Sequence, residues 1–233
     1  MRTRKSETNR TERSTAFKKL PASFQTIARG VVDWWDGWLD FEVITLVWFF
    51  AQVTIILGPP ATFGMYYVAN KMLRDGEALG VKGMFQGARI YFGKAMLWGL
   101  LNWLALLLGA VNLVFYYQNL DKVWGLAAEF LILILLALWL MTQFYAVPFF
   151  MEQVNQSVFL AIRNGFYLSL GSLFYTLMIM VFVVSLIVLS TAFVIPIFLG
   201  APALIAMLGT RALFDRLIAL GLKQADPDPK EVK

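Results

Sequence analysis

The sequence predicts an all-α fold: a polytopic membrane helix bundle of about five transmembrane helices, with amphipathic helices on its surface. Hydrophobic residues fill 59% of the 233 positions and charged residues only 15%, where soluble domains carry about 25%. Uncharged runs extend from Val43 to Asn70, Ala95 to Leu120, Phe130 to Met151 and Asn164 to Thr210. A helix rises about 1.5 Å per residue and the hydrocarbon core is about 30 Å thick, so a span takes about 20 residues. The first three runs hold one span each, and the last is long enough that it must fold back as two.

Residues 1–22 carry seven Lys/Arg against two Glu and little that is apolar, which predicts a disordered basic tail able to rest on anionic lipid headgroups. No apolar core with a small-residue cleavage site precedes residue 40, so the first span is read as its own insertion signal. Residues 23–40 place Ile27, Val31, Trp34 and Trp38 on one helical face and Arg29, Asp33, Asp36 and Asp40 on another. This predicts an interfacial amphipathic helix whose Trp34, Trp35 and Trp38 anchor it in the headgroup layer, with the carboxylates on its wet face.

A five-span membrane domain is expected over residues 41–217, followed by a polar tail over 218–233. Its first span meets Gly58, Pro59 and Pro60, where the helix must break or kink because proline removes a donor. At membrane depth such a break must be buried in protein or line a cavity. A second surface helix is expected around Met84, Phe85, Ala88, Tyr91 and Phe92, then spans over about 95–117 and 124–147, the latter ended by Pro148. The last two spans are expected over about 166–189 and 192–210, with a turn at Ser190-Thr191 and kinks at Pro196 and Pro202. Phe85, Arg89 and Phe92 match Phe159, Arg163 and Phe166 in spacing, a weak internal duplication in which an amphipathic segment follows a proline-ended span.

Charge leaves the orientation in conflict. Residues 71–94 carry five basic side chains and residues 211–233 another five, which places both on the cytoplasmic side. Five spans then put the basic N-terminal tail outside, unless residues 23–60 enter and leave on one side as a re-entrant or tilted hairpin.

The stretch TIILGPPATFGMYYVANKMLRDGE, followed by MFQGARIYFGKAMLWGLLN, resembles the signature region of the YesL-like family of bacterial integral membrane proteins. The positions that carry the resemblance are Gly58, Pro60, Ala61, Thr62, Tyr66, Tyr67, Lys71, Phe85, Phe92 and Lys94. Thr54 lies further from Gly58 than the family pattern has it, and Pro59 is an added proline. The resemblance covers residues 54–102 and implies a five-span bacterial inner-membrane protein of unestablished activity, associated with carbohydrate uptake systems.

Cysteine and histidine are absent, which excludes disulfides, thiol nucleophiles, imidazole-ligated haem and the usual zinc sites, and no cofactor is expected. No phosphate loop or metal box is visible, and the basic segments lack the aromatic pattern of a nucleic-acid groove. The acidic stripe at Asp33, Asp36 and Asp40 with Glu42 has the separation of a carboxylate pair, yet any charged helix face has it, so it reads as solvated. Intramembrane polar residues carry more information because they are costly in lipid. Gln52, Asn102, Glu129 and Gln143 are the candidates, and a transporter would line a cavity with them. The expected function is non-enzymatic, an accessory or assembly partner of another membrane complex, with Phe85, Arg89, Phe92, Phe159, Arg163 and Phe166 as a contact surface. The alternatives are a small-solute transporter and a lipid-binding protein acting through its basic tail.

Overall fold

The structure, a computed structural model, describes residues 20–118, 122–192 and 196–223, with side chains except over 191–199. The described residues form helices and no strands: α1 (Ala22–Asp36), α2 (Trp38–Val53), α3 (Gly58–Asp75), α4 (Gly80–Ile90), α5 (Phe92–Tyr117), α6 (Val123–Glu152), α7 (Val158–Gly171), α8 (Leu173–Ala192) and α9 (Pro196–Ala219). The expected basic tail falls almost wholly outside the described residues, and the polar tail does so from residue 224.

Among the described residues three helices are long and apolar enough to cross a bilayer: α5, α6 and Leu173–Ser190 of α8. The count of five is not reproduced, for two reasons. The uncharged run from Val43 is divided into α2, whose 16 residues are short of the usual span, and α3, whose 18 residues include Lys71, Arg74 and Asp75. Helix α9 has 24 residues but carries Arg211, Asp215 and Arg216 in its second half.

The prolines act differently from the expectation. Pro59 and Pro60 sit in the first turn of α3, where a missing N–H leaves no intrahelical bond unmade. The break itself is Thr54–Leu57, with Ile55 held at φ 60°, a region a β-branched residue rarely adopts. Thr54 closes it, its hydroxyl donating to the Ala51 carbonyl at 2.7 Å and accepting from the Leu57 N–H at 3.2 Å. Pro148 does not end its helix; α6 runs on to Glu152. The Phe144 carbonyl that Pro148 cannot bond faces Gly209 of α9, and a methyl group there would meet both it and the proline ring. Pro196 opens α9, and α8 continues through the expected turn to Ala192. The expected helix over 23–40 is interrupted at Gly37, which separates α1 from α2.

Two bodies of apolar packing meet around α3, α6 and α9. Phe41, Phe63, Met65, Met84, Phe150 and Met207 centre one, and Tyr145, Ile179, Leu208 and Leu213 the other. Helix α9 lies across its neighbours: Gly200 faces Trp34 and Glu42, Gly209 faces Tyr66 and Phe144, and Asp215 reaches Thr26. Helix α3 runs antiparallel to the start of α5, since Phe63 meets Trp98 at 5.6 Å and Tyr67 meets Tyr91 at 6.2 Å. Pro59 occupies the space that a side chain at Gly99 would need. The start of α3 is therefore level with Gly99, and residues 100–117 of α5 continue about 27 Å beyond it. Along that outer stretch only Gly109 is buried, against Leu136, and α6 buries only Gly125 before Met141. The outer halves of α5 and α6 form a two-helix hairpin that no other described helix covers.

Charged and polar helix ends collect at the opposite pole. Asn70 donates to Glu152 at 2.7 Å and Lys223 to the same carboxylate at 3.2 Å. Gln156 donates to the Tyr91 hydroxyl at 3.0 Å, and Gly37 lies beside the Met72 methyl. Lys71 donates to Asp75 at 2.7 Å, which holds that carboxyl below its usual range.

The duplicated motif has a structural counterpart. Helix α4 packs on α3, and α7 packs on α6, through small residues at the crossings. Gly87 gives room to Tyr67, and Gly165 lies against the Thr142 carbonyl at 2.8 Å from where its Cβ would stand. Met84, Gly87, Val158 and Ala161 face inward, whereas Phe85, Arg89, Phe92, Phe159, Arg163 and Phe166 are all exposed. The apolar face expected on α4 is thus reassigned: glycines bring its backbone close, and Phe85 and Phe92 point outward.

Candidate functional site

The polar residues picked from sequence separate into three places. Asn102 and Gln143 come together between α5 and α6. The Trp98 indole donates to Gln143 Oε1 at 2.8 Å, and the Trp139 indole donates to Asn102 Oδ1 at 3.1 Å. Asn102 Nδ2 donates to the Trp98 carbonyl at 2.9 Å and reaches Gln143 Oε1 at 3.4 Å. Gln143 Nε2 is buried without a hydrogen-bond partner. Each amide stands four residues after a tryptophan on its own helix, so the pair of Trp-x-x-x-amide spacings was readable in the sequence. This arrangement joins helices in lipid, where backbone ladders are internally complete and polar side chains supply the directional contacts.

Gln52 lies apart from that cluster, at the α2–α3 break. Its Nε2 donates to the Gly58 carbonyl at 3.3 Å and reaches Thr62 Oγ1 at 3.5 Å. Thr62 in turn donates to the Gly58 carbonyl at 3.0 Å and accepts from the Trp48 indole at 3.0 Å. These residues form part of the wall of a cavity of about 450 Å³, completed by Thr45, Phe49, Met65, Tyr66, Ile187, Ser190, Ala201, Pro202 and Ile205. The third position is Glu129, in a shallow dent of about 330 Å³ with Tyr117, Gln118 and Leu133 near the turn between α5 and α6. The four candidates therefore do not line one passage.

The tryptophan helix is divided in role. Trp35 and Trp38 are 61% and 46% exposed and stack at 6.4 Å. Trp34 is packed into both apolar clusters. Asp33 leaves the expected wet face: it is 4% exposed and paired with Arg211 of α9 at 3.4 Å. Asp36 and Asp40 remain exposed. Around this seam, Thr26 donates to Asp215 at 2.5 Å and shares a 2.7 Å bond with the Tyr175 hydroxyl. Arg29 approaches Asp215 at 4.0 Å, and the Arg216 guanidinium lies 3.7 Å from the centre of the Tyr175 ring. Periodicity shows that α1 has two faces, yet nothing local shows that α9 would cover the charged one.

One further polar residue was not singled out in the sequence. Asn112 is exposed on the outer part of α5, where its amide donates to the Leu108 carbonyl of its own helix at 2.7 Å. Among the described residues no cluster of three or more acidic groups could hold a metal ion. Comparison with known protein families, with curated proteins and with solved structures found no match for this chain.

Proposed function

We propose that this chain is a non-enzymatic accessory or assembly partner of another membrane complex and docks to it through the outer half of the α5–α6 hairpin. The observation that carries this reading is Asn112, an exposed carboxamide midway along the outer part of α5, on a two-helix hairpin whose exposed side chains are mainly apolar. Polar side chains within spans face other helices or cavities because lipid offers them no partner. A helix of another subunit would give Asn112 that partner. The resemblance to the YesL-like family adds a link to carbohydrate uptake and a location in the bacterial inner membrane. The exposed residues Phe85, Arg89, Phe92, Phe159, Arg163 and Phe166 offer a second contact surface at the charged pole. Transport of a small solute is less well supported, because Asn102, Gln143 and Gln52 bond to neighbouring helices or to the break rather than to a common path.

The topology that accompanies this reading has α2–α3 as a re-entrant hairpin whose two ends lie at the charged pole. With α9 crossing back as a fourth passage after α5, α6 and α8, N- and C-terminal segments share the cytoplasmic side, and the three basic regions obey the positive-inside rule together. Extraction in mild detergent tests the docking. The wild-type chain should come out with one partner in fixed ratio, and Asn112→Leu should come out alone with its thermal stability unchanged. Isolation of the wild-type chain alone, with solute flux in liposomes, would overturn the proposal in favour of transport.

A further inference from the structure

We infer that the cavity between α2, α3, α8 and α9 binds a neutral, lipid-soluble molecule with one uncharged oxygen head, a hydroxyl or carbonyl, and a hydrocarbon tail. Its volume of about 450 Å³ lies within the usual range for small-molecule sites, about 300–1,000 Å³. None of the described residues lining it is charged, so a carboxylate or phosphate head would lose its hydration without a counter-ion.

Thr45 supplies the directional contact. Elsewhere, hydroxyls within the apolar helices turn back on the carbonyl four residues earlier, as Thr62, Thr142, Ser169, Ser185, Ser190 and Thr210 do. The Thr45 hydroxyl makes no such bond and has no partner, although the residue is only 2% exposed. Thr45 forms part of the cavity wall. The other polar wall groups near it are engaged, the Trp48 indole with Thr62 and the Gln52 amide with Gly58. The free Thr45 hydroxyl, with the Tyr66 phenol also in the wall of a largely apolar chamber, selects a ligand with a small uncharged polar head.

The mouth shows where the tail goes. Phe49 and Ile187 are the exposed members of the wall, at 41% and 47%, and their helices present Leu46, Phe50, Val184 and Val188 outward beside them. That surface faces hydrocarbon, so the head seats at Thr45 and the tail leaves between α2 and α8 into the lipid. The site does not depend on the partner docked at Asn112, which lies on a different pair of helices.

The test uses the full chain in lipid nanodiscs with radiolabelled farnesol as probe and farnesyl phosphate as the charged comparator. Farnesol should bind saturably, one per chain, and the phosphate about tenfold or more weakly, since its charge would be buried unpaired. Thr45→Val, which keeps the shape and removes the hydroxyl, should weaken farnesol about fivefold, the scale of one neutral hydrogen bond. Ala201→Leu, which fills the chamber, should abolish saturable binding. Uptake no greater than in empty nanodiscs, equal binding of the phosphate, or an unchanged affinity in Thr45→Val would each overturn the inference. Asn112→Leu should bind farnesol as the wild type does, which separates this site from the docking surface.

Discussion

Replacing Gln143 by leucine tests whether the amide cluster between α5 and α6 joins helices or serves a solute. The substitution removes the acceptor of the 2.8 Å bond from Trp98 and of the longer 3.4 Å contact from Asn102. Interhelical hydrogen bonds in membrane proteins contribute about 0.6 kcal/mol on average and up to about 1.7. One short bond and one long contact amount to about 1–2 kcal/mol. Asn102→Leu removes the 3.1 Å bond from Trp139 and the same shared contact, for a similar loss of about 1–2 kcal/mol. Because the contact they share is the long one, the double variant should lose nearly the sum, with a coupling of no more than about 0.5 kcal/mol. Reversible unfolding in mixed detergent micelles, followed by tryptophan fluorescence, measures all three. Full stability in either single variant, or a double variant no weaker than one of them, would refute the structural role. Loss of solute flux without loss of stability would move the cluster to a transport path.

The Asp33–Arg211 pair should separate Asp33 from its neighbours on α1: Asp33→Ala costs about 3–5 kcal/mol by thermal unfolding, the scale for breaking a buried pair, whereas exposed Asp36→Ala stays within about 0.5. Equal losses at the two positions would restore the solvated-face reading. Gly99→Leu drives a side chain into Pro59 and should destabilise by about 1–3 kcal/mol or more, with faster proteolysis at the α2–α3 break; a neutral result would mean that α3 does not rest there. In this cysteine-free chain, single cysteines map topology directly. A cysteine at Leu222 should react with an impermeant thiol reagent from the cytoplasmic side, one at Gln118 from the opposite side, and one at Ile56 from neither. Reaction of the Ile56 position alongside Gln118 would make α2 and α3 full spans.

Composition and uncharged runs made the helical membrane class legible, and α5 lies close to its expected bounds because one long apolar helix needs only local information. Asn102 and Gln143 were recognisable for a similar reason, since an amide inside an apolar run must find a partner. Proline was the weak point. Pro148 is carried inside α6, and Gly209, far along the chain, lies against the Phe144 carbonyl that the proline leaves unbonded. The α2–α3 break was visible in Gly58-Pro59-Pro60, yet its position depends on Thr54, whose hydroxyl closes the preceding turn. Asp33 was misplaced because an amphipathic pattern defines faces without identifying what covers them. The cavity was legible only at Gln52 beside the break, since its other walls come from helices far apart along the chain.

The way α9 lies across α2, α3 and α6 also imposes an order in time. Glu152, Asn70 and the Phe144 carbonyl leave the ribosome before helix α9 and Lys223 do. Until then the Asp33 carboxylate has no Arg211, and the groove beside Tyr66 lacks the Ala201–Ile205 side of its wall. During synthesis the α5–α6 pair is therefore complete before the body can be sealed, and the bundle closes only when α9 is laid over it. A chain truncated before residue 196 should remain in that open state and be cleared by membrane proteases.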